Sequence, residues 1–150
     1  MGFFNEQERS HLYDVKILIQ KAALLFYVSL VISLVIIITQ YILNGKRVIL
    51  LLSKIFIYTG IFTILLLSFF FLLYLFAGFD FLFIKFHEIL FIGNYSFDPN
   101  VSNMKALFPD AFFFDISQAI IILTLFKSIL LIAIGLLINR KLFKRKGYKP

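Results

Sequence analysis

Cysteine is absent from this 150-residue chain. That excludes thiol nucleophiles, quinone-linked disulfide chemistry and thiolate metal sites, all of which need a sulfur. Glycine and proline are scarce, at seven and three residues, and form neither a phosphate-cradling loop nor a flexible linker. Charged residues amount to only 15%. Acids are missing altogether from two stretches, "NGKRVILLLSK" and "NRKLFKRKGYKP".

What fills the chain instead is apolar bulk: 61% hydrophobic residues, with 21 phenylalanines. A soluble domain of this length cannot bury so much apolar surface. Crossing a hydrocarbon core of about 30 Å takes roughly 20 apolar residues at about 1.5 Å each. Residues 22–43, 55–79 and 116–139 meet that length. Backbone polar groups in lipid must be satisfied within the segment, so such runs predict helices rather than barrel strands. The expected fold is an all-α integral membrane protein, one domain over residues 1–150 with three transmembrane helices.

Charge predicts the orientation. The two acid-free stretches carry Lys46, Arg47 and Lys54 in one and a basic cluster in the other. Both are expected in the cytoplasm by the positive-inside rule, which makes residues 140–150 a cytoplasmic tail. All eight acidic residues fall in residues 1–21 and 80–115. These become an outer juxtamembrane segment and an outer, aromatic-rich loop with an interfacial helix. The net charge of +7 does not point to nucleic acid. Arg140, Lys141, Lys144, Arg145 and Lys146 abut a span, as an orientation and anionic-lipid signal does. Membrane lipids are the expected contact. An outer head bearing Glu6, Glu8, Arg9, Asp14, Lys16 and Lys21, with no secretory signal before it, calls for an upstream span. Either a first span precedes this sequence, which is the favoured expectation, or the short head is translocated unaided.

The same topology brings both histidines to one membrane face. His11 lies in "NEQERSHLYDVKILIQK", where Glu8, His11 and Asp14 share a helical face. A carboxylate beside an imidazole fixes its tautomer and raises its basicity. The competing reading is a solvated helix whose charges avoid lipid. His87 lies in "FDFLFIKFHEILF" beside Glu88, with Phe79, Leu82, Phe83, Phe86 and Leu90 as an apolar stripe. It is either a functional imidazole or part of an aromatic interfacial anchor. "GNYSFDPN" is expected to turn at Asp98-Pro99, with Asn94 and Asp98 as loop candidates. Lys127, near the middle of the third run, is a further candidate, because an ionisable group there costs about 3 kcal/mol to insert.

"ERSHLYDVK", "FHEILFIGNYSFDPN" and "LFPDAFFFD" together resemble the motifs of the lipoprotein intramolecular transacylase family of bacterial membrane proteins. Members have four spans, the first ahead of the E-R-x-H motif, so the resemblance implies that one helix precedes this sequence. A tryptophan is expected before the Phe-Asp-Pro, where this chain has Tyr95-Ser96. The implied activity transfers an acyl chain from the glyceryl group of a diacylglyceryl-modified lipoprotein to the α-amino group of its N-terminal cysteine. The implied catalytic pair is His11 and His87. Asp14 is expected to orient His11, Arg9 to polarise the ester carbonyl, and Glu88 to support His87. No cofactor or metal is implied. Two other classes remain open at this point: a non-catalytic lipid-binding or accessory protein, and a bis-histidine metal or haem site.

Overall fold

In a computed structural model the described residues are 2–91 and 95–145, with side chains described up to Leu142. Asn94, Lys146 and the rest of the tail lie outside them, as do the side chains of Lys144 and Arg145. Among the described residues there are four α-helices: α1 (Glu6–Asn44), α2 (Val48–Leu90), α3 (Asn103–Leu107) and α4 (Asp110–Arg145). A 3₁₀ turn at Gly45–Arg47 joins α1 to α2. Among the described residues there is no strand. The all-α expectation holds.

Helix α1 runs unbroken because no glycine or proline occurs between Glu6 and Asn44. Its 39 residues rise about 58 Å, roughly twice a hydrocarbon core. Part of it must therefore stand outside lipid, and the charged head is the part that cannot enter. Among the described residues two helical stretches, Glu6–Leu90 and Asp110–Leu142, are long and apolar enough to cross a membrane. The turn at Gly45–Arg47 divides the first of them.

Helix α2 is broken internally at Gly78, with φ 79° and ψ 167°. A side chain there would be strained, which is why glycine occupies it. The break falls one residue before the expected end of the second span. It lets the aromatic segment from Phe79 to Leu90 set out in its own direction.

The chain forms two compact units. The first comprises Met1–Ser29 and Leu73–Gln118 and contains both histidines. The second comprises Leu30–Leu72 and Ala119–Pro150. On the second unit Val31, Ile36, Phe62, Phe70, Leu123 and Phe126 are all exposed. An apolar exterior of this kind belongs in lipid rather than in water. Beside Val48, small residues fill its interior: Ser53, Gly60, Ser128 and Gly135 are buried. Ser53 pairs in space with Gly135 and Gly60 with Ser128, so α2 and α4 run antiparallel along this seam. A Cβ on Gly135 would lie 2.6 Å from the Ser53 carbonyl oxygen, and one on Gly60 2.7 Å from that of Ser128. Small residues let the two backbones approach this closely.

Gly135→Val should therefore lower the thermal stability of the detergent-solubilised protein by about 1–3 kcal/mol, the usual cost of overpacking. Ala133→Val, at an exposed position of the same helix, should leave the unfolding midpoint nearly unchanged. Equal midpoints for both variants would show that the seam is not tightly packed.

Candidate active site

The first turn of α1 is set by a reciprocal cap. Asn5 Oδ1 accepts from the Glu8 N–H at 2.8 Å, and Glu8 Oε2 accepts from the Asn5 N–H at 2.9 Å. Glu8 is only 1% exposed, and its second oxygen leaves the helix. Glu8 Oε1 accepts from Ser102 Oγ at 2.6 Å and from the Met104 N–H at 3.1 Å. Ser102 in turn caps α3, its Oγ accepting from the Lys105 N–H at 3.1 Å. Lys105 Nζ closes the series on Asp110, at 2.6 and 2.8 Å, where α4 begins. The hydrogen bonds, that of Ser102 foremost, hold the Glu8 carboxyl below the usual carboxylate range.

This fastening encloses the imidazoles. His11, buried and one turn after Glu8, touches Phe91 at 4.9 Å and Phe97 at 5.4 Å between ring centroids. Its ring lies 6.1 Å from that of His87, with the planes only 23° apart. His87 is half-buried against Phe83 at 4.2 Å, Phe86 at 5.5 Å, Phe91 at 5.6 Å and Tyr95 at 5.7 Å. Burial lowers the His11 pKa first, and the neighbouring His87 lowers it further, while Asp14 opposes them. The Nδ1 of His87 lies 2.7 Å from the Phe83 carbonyl. A carbonyl only accepts, so Nδ1 must carry the proton. In the neutral ring the lone pair is then on Nε2, and its direction is fixed.

The expected supporting residues are distributed differently. Asp14 is exposed and acts on His11 through its field. Arg9 is exposed. Glu88 pairs with Lys85 at 2.6 Å on the surface, and its charge adds to burial in raising the Tyr95 hydroxyl. Asp98 builds the turn: its side chain accepts from the Asn100 N–H at 2.9 Å, and its carbonyl from the Ser102 N–H at 2.9 Å. Asn94 lies outside the described residues. Lys127 belongs to the second unit, with an exposed side chain. Among the described residues no three histidine, aspartate or glutamate side chains converge as metal ligands. The sequence reading missed the clamp of Glu8 on Ser102. Its local half was available, since Asn-x-x-Glu ahead of an apolar run is a helix-start signature.

Fold and pocket together define an all-helical, apolar protein with a paired-imidazole site. Residues 2–113 match the family model of the lipoprotein intramolecular transacylase Lit, and the chain belongs to this family. It is thus a bacterial membrane protein of a lipoprotein transacylase family. The match takes in every residue of the clamp and the imidazole pocket. No curated protein and no solved structure matches the chain.

The clamp makes a prediction. Glu8→Ala should lower the unfolding midpoint more than Glu8→Gln, which keeps one oxygen for Ser102 and Met104. Because folding lowers the Glu8 pKa, its stabilisation is full above the ordinary value of 4.5 and lost as pH falls through the folded value. The gap between wild type and Glu8→Gln should therefore narrow on acidification, as followed by thermal unfolding at several pH values. A constant gap would mean that the carboxylate charge is not what holds the clamp.

Proposed function

We propose that the chain transfers an acyl group from the glyceryl moiety of a diacylglyceryl-modified lipoprotein to the α-amino group of its N-terminal cysteine, giving the lyso form. The observation that carries this reading is the near-parallel pair of imidazoles 6.1 Å apart in an aromatic housing. In the reaction the nitrogen attacks the ester carbonyl, a C–N bond forms and the C–O bond to glycerol breaks. From the neutral amine one proton must leave nitrogen and one must reach the departing oxygen; starting from the ammonium form, a second proton leaves nitrogen and is released to solvent. Both reacting groups belong to one substrate molecule, and proximity replaces a second substrate.

An α-amino group with a pKa near 8 is mostly protonated at neutral pH. His11, held neutral by its burial and by His87, suits the base that takes the proton from nitrogen. His87 works through Nε2 alone, because Nδ1 is tied to Phe83. Protonated on both nitrogens, the ring can give its Nε2 proton to the departing glyceryl oxygen while Nδ1 stays on Phe83. The helices α1, α2 and α4 each cross the membrane once in this reading, with residues 1–21 and 80–115 outside. The division of acidic and basic residues between alternate segments supports it.

His11→Ala and His87→Ala should each lower transacylation of a defined lipoprotein by about 10²–10⁴-fold, the usual scale of acid–base catalysis. Mass spectrometry of the N-terminal peptide reads the shift from diacylglyceryl to N-acylated lyso form. Wild-type activity should rise with pH and half-saturate below the ordinary imidazole value of 6.5, since the lowered His11 pKa extends its neutral form to lower pH. Retention of the mass shift by either variant would remove that histidine from the mechanism.

Topology is tested separately. Cysteines introduced at Ser10 and Val101, both exposed, should react with an impermeant thiol reagent added to intact cells. One introduced at the exposed Lys46 should not. The reverse labelling pattern would put the imidazoles on the cytoplasmic side, away from exported lipoproteins.

A further inference from the structure

A groove of about 230 Å³ opens beside the imidazole pocket, lined by Asp14, Ile17, Leu18, Lys21, Leu90 and Phe91. Phe91 is shared: it walls the groove and packs against both histidines. The groove therefore adjoins the reacting pair rather than lying on a separate face. Its lining is divided in character, with two charged side chains and four apolar ones. A ligand that fits it has a charged end and an apolar body.

Size narrows the choice. A volume of 230 Å³ is roughly that of eight waters at about 30 Å³ each. It holds a headgroup and a few methylenes, not two complete acyl chains. Charge narrows it again. Among the described residues no ion pair occupies Asp14, the ion pairs of this unit being Lys85 with Glu88 and Lys105 with Asp110. Lys21 is seven residues along the same helix, about 10 Å of axial rise away. Asp14 is left as an open anionic group one turn from His11, and its field already reaches that ring.

We propose that this groove seats the amino-terminal end of the substrate, with Asp14 binding the α-ammonium group of the diacylglyceryl cysteine. The proposal rests on the transacylase reading and adds the residue that positions the nucleophile. The carboxylate draws the cationic terminus to within reach of His11, the imidazole that is free to take its proton. As the deprotonated nitrogen attacks the ester, positive charge builds on it again in the zwitterionic intermediate. Asp14 faces that charge as well, so its interaction persists into the step that needs stabilising. Ile17, Leu18 and Leu90 cover the first methylenes, and the chains continue beyond the groove.

The test uses peptides with dialkylglyceryl ether chains on the N-terminal cysteine, which bind but have no ester to transfer. The purified full chain in detergent should bind the free-amine peptide about 10–100-fold more tightly than its N-acetylated counterpart, the range of a charge-assisted hydrogen bond. Asp14→Asn should abolish that preference and raise KM for the ester peptide, while Asp14→Glu should restore part of both. A preference that survives in Asp14→Asn, or no preference in wild type, overturns the assignment of Asp14. Conversion of the ester peptide by wild type reports independently on the transacylase reading, and its absence would overturn that reading whatever Asp14 binds.

Discussion

A carboxylate removed from water is tolerated only when donors replace the lost hydration, and Glu8 has them on both sides. One oxygen closes the first turn of its own helix, and the other reaches Ser102, 94 residues away in sequence. The helical start of α1 and the cap of α3 are therefore made by one side chain. Since Ser102 also accepts from Lys105, and Lys105 grips Asp110, three helices are joined in series. Loss of the carboxylate would strand the Ser102 hydroxyl and the Met104 amide together. The loop carrying Phe97 is held over His11 by this same series, so the shape of the imidazole pocket depends on it.

The pocket gains its electrostatic character from what surrounds it. Aromatic rings offer little solvation to an imidazolium, and a second imidazole 6.1 Å away opposes a second charge. These two effects act on His11 in the same direction, and only Asp14 counters them. A base that is neutral and has an oriented neighbour is poised to accept a proton without prior deprotonation. His87 gets its orientation differently, from a backbone carbonyl one turn back on its own helix. That bond requires α2 to be helical through Phe83 and His87, so the tautomer is a consequence of secondary structure.

Much of the fold was legible from hydrophobic runs, because a helix in lipid needs only length and continuity of apolar residues. The unbroken passage from the charged head into the first run was legible too, as nothing between Glu6 and Asn44 interrupts a helix. The break at Gly78 was less so: Gly60 lies in the same apolar run without breaking it, and the expected span ran one residue past Gly78. The site was legible in part. Charge distribution brings His11 and His87 to one face, but it cannot bring them within 6.1 Å. Glu8 was read only as a neighbour of His11 on a helical face. Its Asn5 partner was written locally and overlooked, whereas its Ser102 partner exists only after the loop folds back. Asp98 illustrates the converse: a residue picked as a loop candidate is engaged in the turn that Asp-Pro-Asn sequences favour.

Gly78 connects the two scales. A continuous α2 would carry His87 straight on for nine residues, about 13 Å further along the same axis. The left-handed backbone at Gly78 ends that axis and starts another. Along the new segment Phe79 and Phe83 pack on Phe114 and Phe113 at the start of α4, with ring centroids 5.2 Å apart in both pairs. Phe83 then supports His87 from below and holds its Nδ1 through the carbonyl. The aromatic stripe that could have been a mere anchor thus serves the imidazole directly. Each ring that fixes the direction of this segment also sets the position of Nε2, and the clamp at Glu8 brings His11 to meet it.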